Sequence, residues 1–227
     1  MLVELSYGST GRVGWEIDPQ RRFVVHRGPV ARPDIRSRLR RQLASPLDFP
    51  PLSQACVSGD RVVLALDAGT ACAAELVAEL WTTLETCGVS ARDVQILQPP
   101  VAEGLQTLDP RRLLPEGARE QVIWRIHDPA VSKQHAYLAT TTRGERIYLD
   151  RELIDADVSV AVGSVAFDSL LGYRGTHSVF FPGLSNAEAV ARARGEGHHE
   201  LGPDDERPLR QTIDEVAWLL GTLFAVQ

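Results

Sequence analysis

The run Val62-Val63-Leu64-Ala65-Leu66 constrains this chain most, because five consecutive apolar residues between Asp60-Arg61 and Asp67 leave no polar side to face water. A half-exposed strand would alternate, so the run reads as a strand buried on both faces, which calls for a parallel sheet with cover on each side. The next segment supplies such cover. Ala73, Leu76, Val77, Leu80, Trp81 and Leu84 recur at helical spacing, and Gly88 is a natural stop. Residues 94–97, Val-Gln-Ile-Leu, read as the next strand, completing a βαβ unit whose crossover is expected to be right-handed.

The pattern continues. Residues 122–126 and Val158–Val162 read as two further strands of the same sheet, 144–149 as a short strand and 151–156 as a helical turn. Ser185-x-x-Glu188 has the form of a capping box for a short helix through about Arg194. Residues 195–208 are polar and read as mobile, 211–220 as a helix, and 223–226 as a last strand. Before the linker at Pro50-Pro51, residues 2–5, 13–17 and 23–25 are candidate strands, and 34–43 is an Arg-rich helix with Ile35, Leu39 and Leu43 on one side. We expect an α/β fold with a mainly parallel sheet and helices on both faces, preceded by a short N-terminal β segment. Residues 1–227 would form a single domain, with 1–50 as β segment and Arg-rich helix and 51–227 as α/β core.

A net charge of −6 opposes the surplus of basic groups that a phosphate backbone attracts, so nucleic acid is not an expected partner. Arg36, Arg38, Arg40 and Arg41 read as a solvated helix face. Cys56, Cys72 and Cys87 are odd in number and form no Cys-x-x-Cys pair, which suggests reduced thiols. No apolar run reaches the length of a membrane span and no signal sequence is evident, so no membrane is expected and the cytoplasm is the default location. Lys133 is the only lysine and lies outside any Gly-rich loop, which leaves lysine chemistry one poorly placed candidate.

In an open parallel sheet, ligands gather beyond the carboxyl ends of the strands. Asp67-Ala68-Gly69-Thr70, Gln98-Pro99-Pro100, His127-Asp128 and Gly163-Ser164 occupy those ends. Asp67 and Thr70 could serve a ligand, or could simply cap the helix that follows. His127 could be a base, or a histidine satisfied within its loop.

The stretch Gly172-Tyr173-Arg174-Gly175-Thr176-His177-Ser178-Val179-Phe180-Phe181-Pro182-Gly183 resembles the Gly-Phe-Ser-Gly-Gly-x-Lys-x-x-x-Pro-Gly loop of the lactate racemase family. The order of His127-Asp128, Leu138-Ala139-Thr140-Thr141, Gly144, Ile147-Tyr148-Leu149 and Ile154-Asp155-Ala156-Asp157 is similar to that family's too, as is Asp67-x-x-Thr70. The resemblance runs from Leu2 to Val226 and covers the family's N-terminal half, complete members continuing into a second α/β domain that closes over the cofactor.

The resemblance implies a nickel-pincer nucleotide carried on the loop lysine, and Ser178 stands at that position. Ala71 replaces a phosphate-binding arginine, Asp168 a catalytic histidine and Arg194 a nickel-ligating histidine, while 98–101 lacks the other catalytic histidine. His177 falls where the family commonly has arginine, and His198-His199 reads as solvated loop. The expectation is therefore a ligand-binding relative that has lost the residues of nickel-pincer racemisation and takes no cofactor. The alternative is an isomerase component acting on a 2-hydroxy acid with a separate C-terminal domain. His127, Asp168 and His177 are the candidate catalytic groups; Asp67, Thr70, Arg174, Gly175 and Ser178 are the candidate binding groups; no metal site is expected. Expected partners are a small anion or nucleotide, and a closing domain or a second copy of the chain.

Overall fold

The computed structural model describes residues 2–7, 11–24, 34–101, 107–168, 170–194, 202, 205–222 and 224–227. A hairpin, β1 (Leu2–Tyr7) with β2 (Gly11–Glu16), precedes the Arg-rich helix α1 (Ile35–Ala44) and the short α2 (Leu52–Ala55). Phe23 and Val24 form no strand, and Val25 lies outside the described residues. The core then builds as β3 (Val62–Leu66), α3 (Ala73–Thr86), β4 (Val94–Gln98), α4 (Glu116–Gln121) and β5 (Ile123–Ile126). An antiparallel hairpin, β6 (His135–Thr140) with β7 (Arg146–Asp150), leads through α5 (Arg151–Ile154) to β8 (Val158–Val162). A small hairpin, β9 (Ala166–Asp168) with β10 (Gly172–Arg174), precedes α6 (Ala187–Arg194), α7 (Pro208–Leu220) and β11 (Phe224–Val226).

The central sheet has the order β11-β8-β3-β4-β5, and every neighbouring pair is parallel. All residues of β3 are buried, and the strand's two-residue period divides them between two cores. Val62, Leu64 and Leu66 pack with Leu39 and Leu43 of α1, Leu52 of α2 and Val77, Leu80, Trp81 and Leu84 of α3. Val63 and Ala65 face the other core, built from Leu153, Phe180, Leu184, Ile213 and Val216. Each large aliphatic side chain so buried contributes about 1.5–3 kcal/mol. β5 lies at an edge of the sheet, and its Ile123 and Ile126 are exposed.

The four arginines of α1 lie on an exposed face, as the sequence suggests, but two of them also reach α3: Arg40 donates to Glu79 at 3.0 Å and Arg36 at 3.4 Å, and the Glu79 side chain is fully buried beneath them. One sequence expectation is corrected here. The helix after the 172–183 loop is capped by Asn186, whose Oδ1 accepts the Ala189 N–H at 3.3 Å. Ser185 instead donates its hydroxyl to the Pro182 carbonyl at 2.7 Å.

A buried polar node locks the second core. Asp150, at the end of β7, is fully buried and caps α5 by accepting the Glu152 N–H at 3.1 Å. Arg125 of β5 donates one N–H to both carboxylate oxygens, at 2.7 and 2.8 Å. His127, also buried, meets Asp150 through Nδ1 at 2.8 Å and the Ser185 carbonyl through Nε2 at 2.8 Å. Burial would raise the Asp150 carboxyl, but the bonds from His127 and Arg125, the Arg125 charge and the Glu152 N–H outweigh it, so the group lies below its ordinary range. The stability it contributes is present above the unfolded value of about 3.9 and is lost as pH falls through the lower folded value. Asp150→Ala should therefore cost roughly 3–5 kcal/mol at pH 7. Urea unfolding should find that gap narrowing once the pH drops below about 4.

Candidate functional site

The carboxyl ends of β3 and β4 and the 172–183 loop enclose a cleft of about 240 Å³. Asp67 leaves β3 at its floor, where Oδ1 accepts the Ala68 N–H at 2.8 Å. Thr70 closes the same turn, its hydroxyl donating to the Asp67 carbonyl at 2.7 Å. A Cβ on Gly163, at the end of β8, would fall 3.2 Å from that of Asp67, so glycine keeps the two strand ends close.

The opposite wall is the β9–β10 hairpin and the loop after it. Asp168 organises the hairpin turn, Oδ1 accepting the Leu170 and Leu171 N–H groups at 3.0 and 2.8 Å. Gly175 has φ +114°, and a Cβ there would lie 3.0 Å from the Ser164 carbonyl. Ser178 then closes its own turn: its hydroxyl accepts the Gly175 N–H at 3.1 Å and donates to the Gly175 carbonyl at 3.1 Å. At Gly183 a Cβ would collide with the Val179 carbonyl, so only glycine fits the loop's end.

The electrostatics centre on Asp67. Burial raises its carboxyl above the ordinary range, opposed by the Ala68 N–H and by the charges of Arg174 and Arg194, the latter on the last turn of α6. Both arginines line the cleft, and among the described residues neither has a hydrogen bond or close ion pair. The geometry therefore offers two available guanidinium groups facing one half-buried carboxyl, a combination suited to an anion.

Of the residues singled out from sequence, the structure brings Asp67, Asp168, Arg174 and Ser178 to this cleft. Thr70 and the buried Gly175 shape its turns from behind. His127 is kept apart, with both ring nitrogens engaged in the node around Asp150. His177 turns toward α7, its Nδ1 3.9 Å from Asp214 and its ring stacked on Phe180. Burial lowers the His177 imidazole, Asp214 opposes that, and Arg210 adds to it. His198 and His199 lie outside the described residues. Lys133 sits in a 3-10 turn after β5 and does not line the cleft. Arg194 was legible only as the occupant of a metal-ligand position; its closeness to Asp67 arises from the docking of α6.

A second cleft, of about 200 Å³, opens at the amino edge of the sheet between Arg61, Arg92, Gln95 and Glu152. Its main charges are already spent, Arg61 pairing with Glu152 at 2.9 Å and donating to the Asp155 carbonyl. Among the described residues, no group of three or more His, Cys, Asp or Glu side chains could hold a metal ion, and no helix is long and apolar enough to cross a membrane.

Because the folded Asp67 carboxyl lies above its unfolded value of about 3.9, the stability linked to it is present below that value and lost as pH rises through the folded one. Asp67→Asn keeps the acceptor for Ala68 and removes the half-buried charge. It should stabilise the protein at pH 7 by on the order of 1 kcal/mol, with little difference at pH 3.5, as denaturant titration at the two pH values would measure.

The fold matches that of the lactate racemase apoprotein from Thermoanaerobacterium thermosaccharolyticum, with TM-score 0.69 and 14% identity over 99% of this chain and 55% of that one. It also matches a protein from Thermotoga maritima, with TM-score 0.56 and 16% identity over 82% of this chain and 47% of that one. The chain thus spans about half the length of these solved proteins. None of the curated proteins matches it. A family model for the lactate racemase N-terminal domain covers residues 7–200, and with most of its length so matched the chain belongs to the lactate racemase N-terminal domain family.

Proposed function

We propose that this domain binds a small anion in the cleft at the carboxyl edge of its sheet and has lost nickel-pincer racemisation. The observation that carries the reading is the pairing of Ser178 with Arg174 and Arg194. Where the family resemblance calls for a cofactor-bearing lysine, Ser178 has no amine and its hydroxyl closes its own turn. Where the resemblance calls for a nickel-ligating histidine, Arg194 has no lone pair to give a metal. Among the described residues, the side chains lining this cleft do not fit a lysine-anchored metal cofactor.

What they do fit is charge-assisted recognition. Guanidinium presents a planar fork to a carboxylate or phosphate, and two such groups converge beside Asp67. The Ala68 N–H is already spent on Asp67, which leaves the arginines as the principal donors. Each charge-assisted bond contributes about 1.5–3 kcal/mol, so removing either arginine should weaken an anion by roughly tenfold or more. The ligand is a small molecule rather than a nucleic acid, and the setting is cytoplasmic.

A second reading, an isomerase component that works on a 2-hydroxy acid with a separate closing domain, is favoured by one observation. The chain belongs to the lactate racemase N-terminal domain family, and its fold matches that of a lactate racemase apoprotein. Protein produced together with the family's cofactor-building enzymes distinguishes the two. Under the first reading its intact mass carries no adduct, it holds no stoichiometric nickel and lactate exchange stays at background. Its thermal midpoint rises with small anions, and Arg174→Ala and Arg194→Ala each reduce that rise. A nickel-bearing adduct with lactate exchange would establish the second reading and end the first.

A further inference from the structure

We infer that the anion taken by this cleft is a monocarboxylate with a compact apolar body, not a phosphate ester, a nucleotide or a polyhydroxylated acid. The inference rests on the anion-binding reading above and sharpens it through size, lining and charge.

Size sets the first limit. At about 240 Å³ the cleft holds roughly eight waters at about 30 Å³ each, below the roughly 300 Å³ at which pockets for drug-sized ligands begin. A nucleotide would have to leave much of its length outside that space. An acid of about ten heavy atoms fits it, by the same volume.

The lining sets the second. Away from Asp67 and the arginines, the apolar part of the described lining includes Pro99 and Pro100 beyond β4, Leu170 and Leu171 of the hairpin turn, Pro182, and Leu209 of the first turn of α7. Proline has no N–H to donate, and leucine offers no polar side-chain atom. The other polar side chains of the cleft are partly committed, Ser178 to its own turn and Asp168 to the Leu170 and Leu171 N–H groups. A ligand body rich in hydroxyls would leave them without partners against these walls. An alkyl or aryl body instead gains by covering apolar surface.

Charge sets the third. Among the described residues, the ionisable side chains of the cleft are Asp67 from β3, Asp168 and Arg174 from the β9–β10 hairpin and Arg194 from α6, with none from β4 or α7. With both carboxyls ionised, the set is neutral, so a dianion would be left unbalanced. A monoanion is balanced if Asp67 takes up one proton, which burial of that carboxyl already favours. The ligand carboxylate then pairs with the two arginines, whose charges Asp67 only senses from a distance, and protonated Asp67 becomes a hydrogen-bond donor in the floor.

Isothermal titration on the full chain tests this with benzoate and 4-methylpentanoate as apolar monoacids, against lactate, glycerate, inorganic phosphate and AMP. The apolar acids should bind at least tenfold more tightly than any of the other four. Titration in buffers of differing ionisation enthalpy should report net proton uptake near pH 7 in wild type and none in Asp67→Asn. Arg194→Ala and Arg174→Ala should each weaken benzoate by tenfold or more. Tighter binding of phosphate, AMP or glycerate, lost in the arginine variants, would overturn the inference while leaving the anion site standing. If no probe binds, or if apolar acids bind both arginine variants normally, the inference and the site assignment both fall.

Discussion

The burial of β3 on both faces governs the molecule. With Val62, Leu64 and Leu66 in one core and Val63 and Ala65 in the other, the strand has no face on which a polar side chain could rest. Its backbone groups are satisfied by β4 and β8, and its chemistry is displaced to its ends. Asp67 is the first side chain past the apolar run, half in the sheet and half in the cleft. Its position explains why burial pushes its carboxyl up while two arginines pull it down.

The polar node around Asp150 does a different job with similar chemistry. Arg125, Asp150 and His127 bring together β5, β7, α5 and the Ser185 turn, and each hydrogen bond satisfies a group that would otherwise be buried without a partner. A histidine with both nitrogens engaged has no free position for a substrate. The His127-Asp128 sequence therefore marks the end of β5, where the histidine's hydrogen bonds clamp neighbouring segments.

Much of the architecture was legible because it is local. The apolar run of β3, the helical spacing of α3 and the short strands near 94–97, Val158–Val162 and 223–226 each carry their own periodicity. Most of what the sequence concealed is long-range. Glu79 reads as one more polar position on a helix until α1, some forty residues earlier, brings Arg36 and Arg40 onto it. His127 reads as a strand-end residue until Asp150 and Ser185 arrive from two other elements. Ser185 against Asn186 is a subtler failure, because a one-residue shift in helix start changes which side chain caps it and frees the serine for the Pro182 carbonyl.

The loop from 172 to 183 is shaped by its backbone rather than by the side chain at 178. Gly175 and Gly183 remain necessary because neighbouring carbonyls crowd their Cβ positions, whatever stands between them. At 178 the constraint is only that the 3-10 turn be closed, and a serine hydroxyl bonded to both polar groups of Gly175 achieves that with a short side chain. A lysine there would add a charge to a cleft that already holds Arg174 and Arg194, with Asp67 and Asp168 as the carboxyls of the described lining. Serine leaves the cleft's positive charge on those two arginines, and the glycines hold the backbone for them. The loop therefore takes its shape from packing at the glycines, while the positive charge of the described cleft comes from residues on the hairpin and on α6.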